Sequence, residues 1–177
     1  MSTSRRERAD EHPGRAGASG TPATVALVAA GIAFIAHPYD HDPAAPSFGL
    51  EAAQALGIEA DRVFKTLLVV VDGRLVVGVV PVTGKLSLKS LAAAVGGKRA
   101  AMAGAALAER RTGYLVGGIS PVGQKMAHPT VLDETAALWD TVFVSGGRRG
   151  FDIELAPDDL LRVTGGKIAA IASAAVG

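Results

Sequence analysis

The run LLVVVDGRLVVGVV, residues 67–80, decides the fold. Two segments rich in β-branched residues flank the pair Asp72-Gly73. An Asp-Gly pair between such segments is the strongest short-range signal of a β-hairpin, because both residues tolerate the positive φ angles of a tight turn. We therefore predict two antiparallel strands joined at Asp72-Gly73.

Helices and shorter strands are predicted on both sides of this hairpin. Ser or Thr residues that suit a helix N-cap precede several Ala- and Leu-rich runs, and glycine follows some of them. The predicted helices begin at Thr21 or Thr24 and end near residue 30, span residues 47–56, 87–95 and 105–110, begin again near Pro157, and cover residues 168–175. Further strands are predicted at 33–39 and 98–102, and a second hairpin at 141–155 with a long turn at 146–150.

This order of elements predicts the fold class. Hairpins alternate with helices, and regular strand–helix–strand units are missing. The sequence therefore predicts an α/β protein of the α+β type, in which a mixed, mainly antiparallel sheet is surrounded by helices.

Length and composition predict one folded domain behind a tail. A chain of 177 residues can form one substantial core and is too short to expect two. Residues 1–20 are charged or small, so they bury too little apolar surface to offset the entropy lost on ordering. We predict a flexible tail over residues 1–20 and a single domain over residues 21–177.

The apolar run at residues 24–36 follows arginines, which is the outline of a signal peptide. Glu7, Asp10 and Glu11 stand among those arginines, and Gly31 interrupts the run. The run is also too short to span a membrane as a helix. We favour a folded helix and strand here, and we expect no membrane partner.

Cysteine content and charge narrow the chemistry. No cysteine is present, which excludes disulfides, thiolate metal sites and a protein thiol nucleophile, and is compatible with a cytoplasmic protein. The net charge of +1 is low for a nucleic-acid binder. Cations in the middle and later chain either form a local phosphate-facing surface or are ordinary solvated charges, and the charges alone favour the second. They are Lys85, Lys89, Lys98, Arg99, Arg110, Arg111, Lys125, Arg148 and Arg149.

The stretch RTGYLVGGISPVGQK, residues 111–125, is predicted to be a binding loop. Its glycines and its proline weaken helices and strands, and the glycines allow close approach to the backbone. The sequence lacks G-x-S-x-G, G-x-x-x-x-G-K-[ST] and a strand-embedded G-x-G-x-x-G. The common hydrolase, NTPase and dinucleotide-binding signatures are therefore absent.

The run HPYDHDP, residues 37–43, contains two histidines and two aspartates, which are residue types that bind metals. The histidine spacing would suit one face of a helix, but the two prolines oppose a helix there. No third group of ligands accompanies the run. We therefore predict neither a metal nor a cofactor.

Three segments together carry a family resemblance: VFKTLLV at residues 63–69, GGISPVGQK at 117–125 and VSGGRRGFDIEL at 144–155. With YDHDP at 39–43 and Phe48-Gly49, they resemble the YbaK/EbsC family of aminoacyl-tRNA deacylases. These proteins are similar to the editing domain inserted in bacterial prolyl-tRNA synthetases. The resemblance covers residues 21–171 and implies the family's mixed sheet and a deacylase activity.

The resemblance implies that Lys65, Gly117 and Gly118 form the catalytic group. Lys65 would contact a terminal phosphate or the ester oxygen, and the glycine N–H groups would approach the terminal adenosine or the ester carbonyl. Without the family, Lys65 would be a strand-end lysine that reaches solvent, and the glycines would be turn residues.

The resemblance also implies a set of substrate-binding residues: Tyr39, Phe48, Thr66, Ile119, Ser120, Ser145 and Asp152. The two aromatic residues would form walls of the aminoacyl site, or else pack in the core. Ser145 and Asp152 would hold the ribose hydroxyls or the α-amino group. Their alternatives are a turn residue and a surface carboxylate.

The function implied is a trans-editing hydrolase that deacylates mischarged Cys-tRNA(Pro). The resemblance implies that the substrate thiol can attack its own ester carbonyl, whereas water attacks in relatives that clear alanine. The lack of an evident nucleophile or base in the sequence is compatible with the thiol route and does not exclude water. The expected partners are the 3′ end of tRNA(Pro) and prolyl-tRNA synthetase, in the cytoplasm. The alternatives are a deacylase for another mischarged tRNA, such as Ala-tRNA(Pro), and a non-catalytic module that binds an aminoacyl or nucleotide ligand.

Overall fold

The computed structural model describes residues 20–174, where helices pack around three β-sheets. The tail predicted over residues 1–20 lies outside the described residues, apart from Gly20. The helices are α1 Pro22–Ala29, α2 Phe48–Leu56, α3 Leu88–Ala94, α4 Ala105–Thr112 and α5 Pro157–Thr164. The strands are β1 Ile35–Pro38, β2 Phe64–Val71, β3 Arg74–Pro81, β4 Gly84–Leu86, β5 Ala100–Met102, β6 Thr130–Asp133, β7 Val142–Arg148, β8 Phe151–Leu155, β9 Lys167–Ala169 and β10 Ala172–Ala174.

The predicted central hairpin is confirmed as β2 and β3. Asp72 and Gly73 form its turn, with φ angles of 46° and 84°, the positive values that a two-residue hairpin loop requires. The Asp72 carboxylate accepts hydrogen bonds from the backbone N–H groups of Lys98 and Arg99 at 2.8 and 2.9 Å. These bonds place β5 beside the far end of β2.

The largest sheet has the strand order β5-β2-β3-β6-β9. Its β2–β3 and β2–β5 pairs are antiparallel, and its β3–β6 and β6–β9 pairs are parallel. A second sheet, β1-β8-β7, and the β4–β10 ribbon are antiparallel throughout. The prediction of a mixed, mainly antiparallel architecture with surrounding helices is therefore confirmed.

The helix starts follow the predicted caps. The hydroxyls of Thr21, Ser47 and Ser87 each accept a hydrogen bond from the backbone N–H three residues later, which satisfies an otherwise unpaired donor of the first turn. Residues 113–129 contain neither helix nor strand, in agreement with the predicted loop.

The second hairpin, β7–β8, differs from the prediction. A turn was expected over residues 146–150, but β7 continues to Arg148, with a bulge between Ser145 and Arg148. A bulge allows two glycines to stay within a strand because the extra residue needs no partner. A bridge between Val63 and Phe143 brings the two larger sheets together.

The last predicted helix, at residues 168–175, is wrong: the described part of this segment forms β9 and β10. The Asp133 carboxylate accepts hydrogen bonds from the backbone N–H groups of Ile171 and Ala172 at 2.9 and 2.8 Å. These donors are therefore unavailable to a helix, and the open edges of β6 and β4 supply strand partners. Tertiary contacts here override the helix propensity of alanine. Strands β4 and β6 were also not predicted.

Candidate active site

A cavity of about 470 Å³ lies between the first half of β2, the start of α2, the glycine-rich loop and the β7–β8 hairpin. Its walls include all three segments that carry the family resemblance. Eight predicted site residues line it: Tyr39, Phe48, Lys65, Thr66, Gly117, Ile119, Ser145 and Asp152. Gly118 and Ser120 are not among the lining residues.

The cavity opens along an unpaired edge of β2. Strand β5 pairs with β2 only from Val69 to Val71, and the backbone N–H of Ala103 donates to the Leu68 carbonyl at 2.9 Å. Between the Val63–Phe143 bridge and Leu68, this edge of β2 has no strand partner among the described residues.

Lys65 lies on this part of β2, opposite Val80 of β3. Its side chain is half-buried, and burial together with the nearby Lys85 ammonium lowers the pKa of Lys65. In residues 20–174, no carboxylate forms a salt bridge with Lys65. Its ammonium is therefore free to bind an ester or phosphate oxygen.

Thr66 lines the cavity with a hydroxyl that has no protein partner. Its Oγ1 atom is buried, and it is the one such side-chain atom without a hydrogen bond in the described part of the chain. An unmade hydrogen bond of this kind costs about 1–3 kcal/mol. A polar atom of a bound ligand would remove that cost.

Asp152 is the buried acidic group of the cavity, with a side chain on β8 opposite Ser145 of β7. It is only 6% exposed, and burial raises its pKa to about 7. Tyr39 is affected in the same direction: burial, followed by the charges of Asp152 and Glu51, raises its pKa to about 12. The Tyr39 hydroxyl therefore stays protonated at neutral pH and can donate a hydrogen bond.

Ser145 combines a structural and a ligand-facing role. Its Oγ atom accepts a hydrogen bond from the backbone N–H of Gly147 at 3.2 Å, which closes the bulge. The hydroxyl proton stays available for donation into the cavity that Ser145 lines.

Gly117 and Gly118 do not have equivalent roles. Gly117 lines the cavity with a φ of 89°, a conformation that disfavours other residues. The Gly118 N–H donates to the Leu115 carbonyl at 2.9 Å, and a Cβ at Gly118 would lie 2.7 Å from the Arg148 Cα. Gly118 therefore serves turn formation and close packing, and its N–H is already occupied.

Ser120 likewise has a local partner. It is fully buried, and its Oγ atom accepts a hydrogen bond from the backbone N–H of Val122 at 3.2 Å. The Ser120 carbonyl accepts a bond from the Gln124 amide at 3.0 Å. These hydrogen bonds stabilise the glycine-rich loop, and Ser120 itself does not line the cavity.

Several cavity residues were not predicted from the sequence. One wall consists of Met102 at the end of β5, Ala103 in the connection that follows, and Ala105 and Ala108 of α4. These alanines look like ordinary helix formers in the sequence, so no local pattern distinguishes them. In the sequence Arg149 is one cation among many, yet its guanidinium lies 5.1 Å from the centre of the ring of Phe48, which lines the cavity.

The two histidines considered as metal ligands have separate partners. His37 contacts Glu154 at 2.8 Å, and His41 contacts Glu51 at 3.0 Å. Within residues 20–174, no group of three or more acidic or histidine side chains could hold a metal ion. The same residues include no helix with the length and apolar character needed to cross a membrane.

The cations near the cavity are few. Lys85 lies close enough to Lys65 to lower the Lys65 pKa, and Arg149 lies at Phe48. Lys98 and Arg99 bind Asp72 at the hairpin turn, beyond the opposite end of β2. These four cations therefore lie in different parts of the molecule and do not form one surface, in line with the solvated charges that the sequence favours.

Comparison with known proteins identifies the family. The aminoacyl-tRNA editing domain matches residues 42–163, more than half of the chain. The chain belongs to this family. It is an aminoacyl-tRNA deacylase.

Two curated relatives agree with this assignment. EbsC of Enterococcus faecalis, whose name proposes a Cys-tRNA(Pro)/Cys-tRNA(Cys) deacylase, is 45% identical over 120 residues, which cover 67% of this chain and 73% of EbsC. A proline–tRNA ligase of Maridesulfovibrio salexigens is 33% identical over 100 residues, covering 56% of this chain and 17% of the ligase.

A solved structure shares the fold of this deacylase. It is described as a proposed trans-editing enzyme for prolyl-tRNA synthetase. It superposes with a TM-score of 0.76 at 27% identity, over 86% of this chain and 95% of the other.

The chemistry of an editing domain suits this cavity. An aminoacyl ester is already activated, so a few oriented donors can supply much of the remaining catalysis. Lys65, Thr66 and Ser145 place hydrogen-bond donors at this cavity, and Asp152 places a carboxyl there.

Proposed function

We propose that this deacylase removes cysteine from mischarged tRNA(Pro) in trans. The observation that carries the proposal is the cavity, which combines polar groups without protein partners at Lys65, Thr66 and Asp152 with apolar walls. The identity with EbsC supports cysteine as the amino acid.

The proposed roles follow from charge. The Lys65 ammonium polarises the ester carbonyl or holds the terminal phosphate, since a compact cation suits either oxygen. Asp152 binds the α-ammonium group of the aminoacyl ester, because this cation would favour the charged form of the carboxyl. Thr66 and Ser145 donate to the ribose oxygens.

The proposed nucleophile is the substrate thiol. Its sulfur forms a bond to the ester carbonyl carbon, the ester C–O bond breaks, and the thiol proton passes to the ribose oxygen that leaves. The chain has no cysteine of its own, and a thiol is a stronger nucleophile near neutral pH than an unassisted hydroxyl.

We further propose that the protein acts beside prolyl-tRNA synthetase in the cytoplasm. The partial match to a proline–tRNA ligase and the likeness to the trans-editing protein support this partnership. A domain of this size has little surface with which to read the body of a tRNA, so the synthetase would supply part of the recognition.

The deciding experiment compares Cys-, Ala-, Ser- and Pro-tRNA(Pro) as substrates of the full chain. We expect Cys-tRNA(Pro) to be cleaved fastest and Ser-tRNA(Pro) to be cleaved much more slowly. Faster cleavage of Ala-tRNA(Pro) would contradict the thiol route and indicate water as the nucleophile.

The role of Lys65 is tested by Lys65→Met, with Lys89→Met as the matched control on exposed residue 89 of α3. We expect Lys65→Met to lower kcat/KM by about 10²-fold or more, with an unchanged melting temperature. Lys89→Met should retain full activity. A folded Lys65→Met protein with full activity would exclude Lys65 from the site.

A further inference from the structure

One exposed arginine connects three segments at the mouth of the cavity. The Nε and Nη2 atoms of Arg149 donate to the Val116 carbonyl at 3.1 and 2.7 Å. The same guanidinium lies 5.1 Å from the centre of the Phe48 ring. The β7–β8 turn is thereby joined to the glycine-rich loop and to the first residue of α2.

Gly117 makes this arrangement possible. A Cβ at Gly117 would lie 2.7 Å from Arg149 Nε and 2.9 Å from Phe48 Cζ. Loop, guanidinium and ring therefore meet at distances that only a residue without a side chain permits. This is a reason for glycine at position 117 that is independent of its N–H group.

The two residues that Arg149 contacts are parts of the cavity wall. Val116 and Phe48 both line the cavity, and they are 37% and 39% exposed, so the core alone does not fix them. The Val116 N–H also donates a hydrogen bond to the Glu109 carboxylate at 3.0 Å. That bond holds Val116 but does not connect it to Phe48.

We propose that Arg149 is a positioning residue that holds Val116 and Phe48 together and so sets which aminoacyl groups the cavity accepts. The inference rests on the proposed removal of cysteine from tRNA(Pro) and goes beyond it, since Arg149 acts through Val116 and Phe48 and not through contact with the substrate. Removal of the guanidinium lets the mouth widen, so discrimination against larger aminoacyl groups falls.

Arginine has two properties that this position requires. Its planar fork donates two parallel hydrogen bonds to one carbonyl while its face lies over a ring, whereas lysine offers a point charge on a flexible stem. Arg149→Lys therefore separates positioning from simple charge. Arg149→Met keeps most of the stem and removes the polar group.

Arg148 provides the matched control. It is the adjacent exposed arginine, and its guanidinium lies 4.5 Å from the Phe151 ring centre instead of at the mouth. Arg148→Met removes the same charge from the neighbouring position, at the end of β7.

The kinetic test measures kcat and KM on Cys-tRNA(Pro) and on Pro-tRNA(Pro), which carries the larger correct amino acid. For both Arg149→Met and Arg149→Lys, we expect kcat/KM on Cys-tRNA(Pro) relative to Pro-tRNA(Pro) to fall about tenfold, mainly because the larger proline ester is cleaved faster. Arg148→Met should leave this ratio unchanged. Retention of the ratio in Arg149→Lys would overturn the proposal and indicate a charge contact with the tRNA.

A second measurement does not depend on the substrate. Hydrogen exchange at the Gly118 amide, which donates to Leu115, reports how well the loop is held. We expect it to be about tenfold faster in Arg149→Met and unchanged in Arg148→Met. Unchanged exchange in Arg149→Met overturns the proposal, whatever the enzyme cleaves. A wild-type protein inactive on every tRNA(Pro) species would refute the proposed function, while faster exchange would still support the positioning role.

Discussion

Asp133 and Asp152 are both buried strand aspartates, 2% and 6% exposed, yet their surroundings are opposite. Asp133 accepts hydrogen bonds from Thr135, through its N–H and its hydroxyl, and from the N–H groups of Ile171 and Ala172. No donor among the described residues reaches the Asp152 carboxyl, which faces the cavity. The Asp133 carboxyl is therefore hydrogen-bonded within the fold, whereas the Asp152 carboxyl can bind a ligand.

The pKa values follow this difference. Burial alone would raise the pKa of Asp133, but the hydrogen bonds from Thr135, Ile171 and Ala172 outweigh burial and lower it. Burial without such donors raises the pKa of Asp152 to about 7. Burial alone therefore does not decide whether the pKa of a carboxyl rises or falls. The hydrogen-bond donors around the carboxyl decide it.

The two residues therefore have opposite effects on stability as pH changes. The stability from Asp133 is present above its unfolded pKa of about 4 and is lost as the pH falls through its lower folded value. Asp152 has a raised folded pKa, so its contribution is most favourable below about pH 4 and declines as the pH rises to about 7.

The largest expected effect is that of Asp133→Ala. Four donated bonds lose their acceptor, so we expect the free energy of unfolding at pH 7 to fall by about 3–5 kcal/mol. Urea unfolding measures this, with Asp133→Asn expected to be intermediate and the exposed Asp140→Ala to be neutral. A loss below about 1 kcal/mol would show that the donors find other partners.

Asp152→Asn, unlike Asp133→Ala, should increase stability at neutral and higher pH. The free energy of unfolding should rise by about 2–4 kcal/mol at pH 8 and should barely change at about pH 3, because the carboxyl is mostly protonated there in both states. Deacylation should fall about 10²-fold, since the α-ammonium group loses its counter-charge. Urea unfolding across this pH range and single-turnover kinetics measure the two effects. A stability difference that does not vary with pH would refute the assignment of a raised pKa to Asp152.

Thr66→Val extends the comparison to hydroxyls, with a smaller effect. Removal of the unpartnered Oγ1 should stabilise the protein by about 1 kcal/mol and slow deacylation about tenfold. The control is Thr135→Val, whose hydroxyl donates to Asp133 at 2.6 Å and whose loss should be destabilising. Thermal melting measures both changes in stability. If both variants shift the melting temperature in the same direction, the distinction between hydroxyls that face the ligand and hydroxyls that stabilise the fold is contradicted.

The smallest expected effect is that of chelator treatment. The donors around Asp133 are N–H and hydroxyl groups of the protein, and His37 and His41 each contact a separate glutamate. We therefore expect prolonged treatment with EDTA to leave turnover unchanged. A metal bound in stoichiometric amount, whose removal stops turnover, would contradict this.

The local elements of this fold could be predicted because their signals lie within a few residues. The Asp72-Gly73 turn and the caps at Thr21, Ser47 and Ser87 are examples. The segment at 168–175 could not be predicted, because its structure depends on Asp133, 38 residues before Ile171. An alanine-rich run gives no sign of such a partner.

In the site, too, some residues could be predicted from sequence motifs and others depend on three-dimensional packing. The motifs that resemble the family place Lys65 and Asp152 at one cavity, although they lie on different sheets. The motifs did not separate Gly117, which lines the cavity, from Gly118, whose N–H is bonded within the loop. Nor did they distinguish Arg149 from Arg148, since only the three-dimensional packing decides which of two adjacent arginines reaches Val116.

The hydrogen bonds that Asp133 accepts from Ile171 and Ala172 can form only late in synthesis. Strand β9 is an edge of the largest sheet, and β10 is the partner of β4. At about 5–20 residues per second, a ribosome makes these strands after every other element described. Until they emerge, β6 has an open edge and Asp133 lacks its backbone donors, so the nascent domain is exposed to strand pairing with other chains. The edges of β6 and β4 are therefore covered only after β9 and β10 have been made.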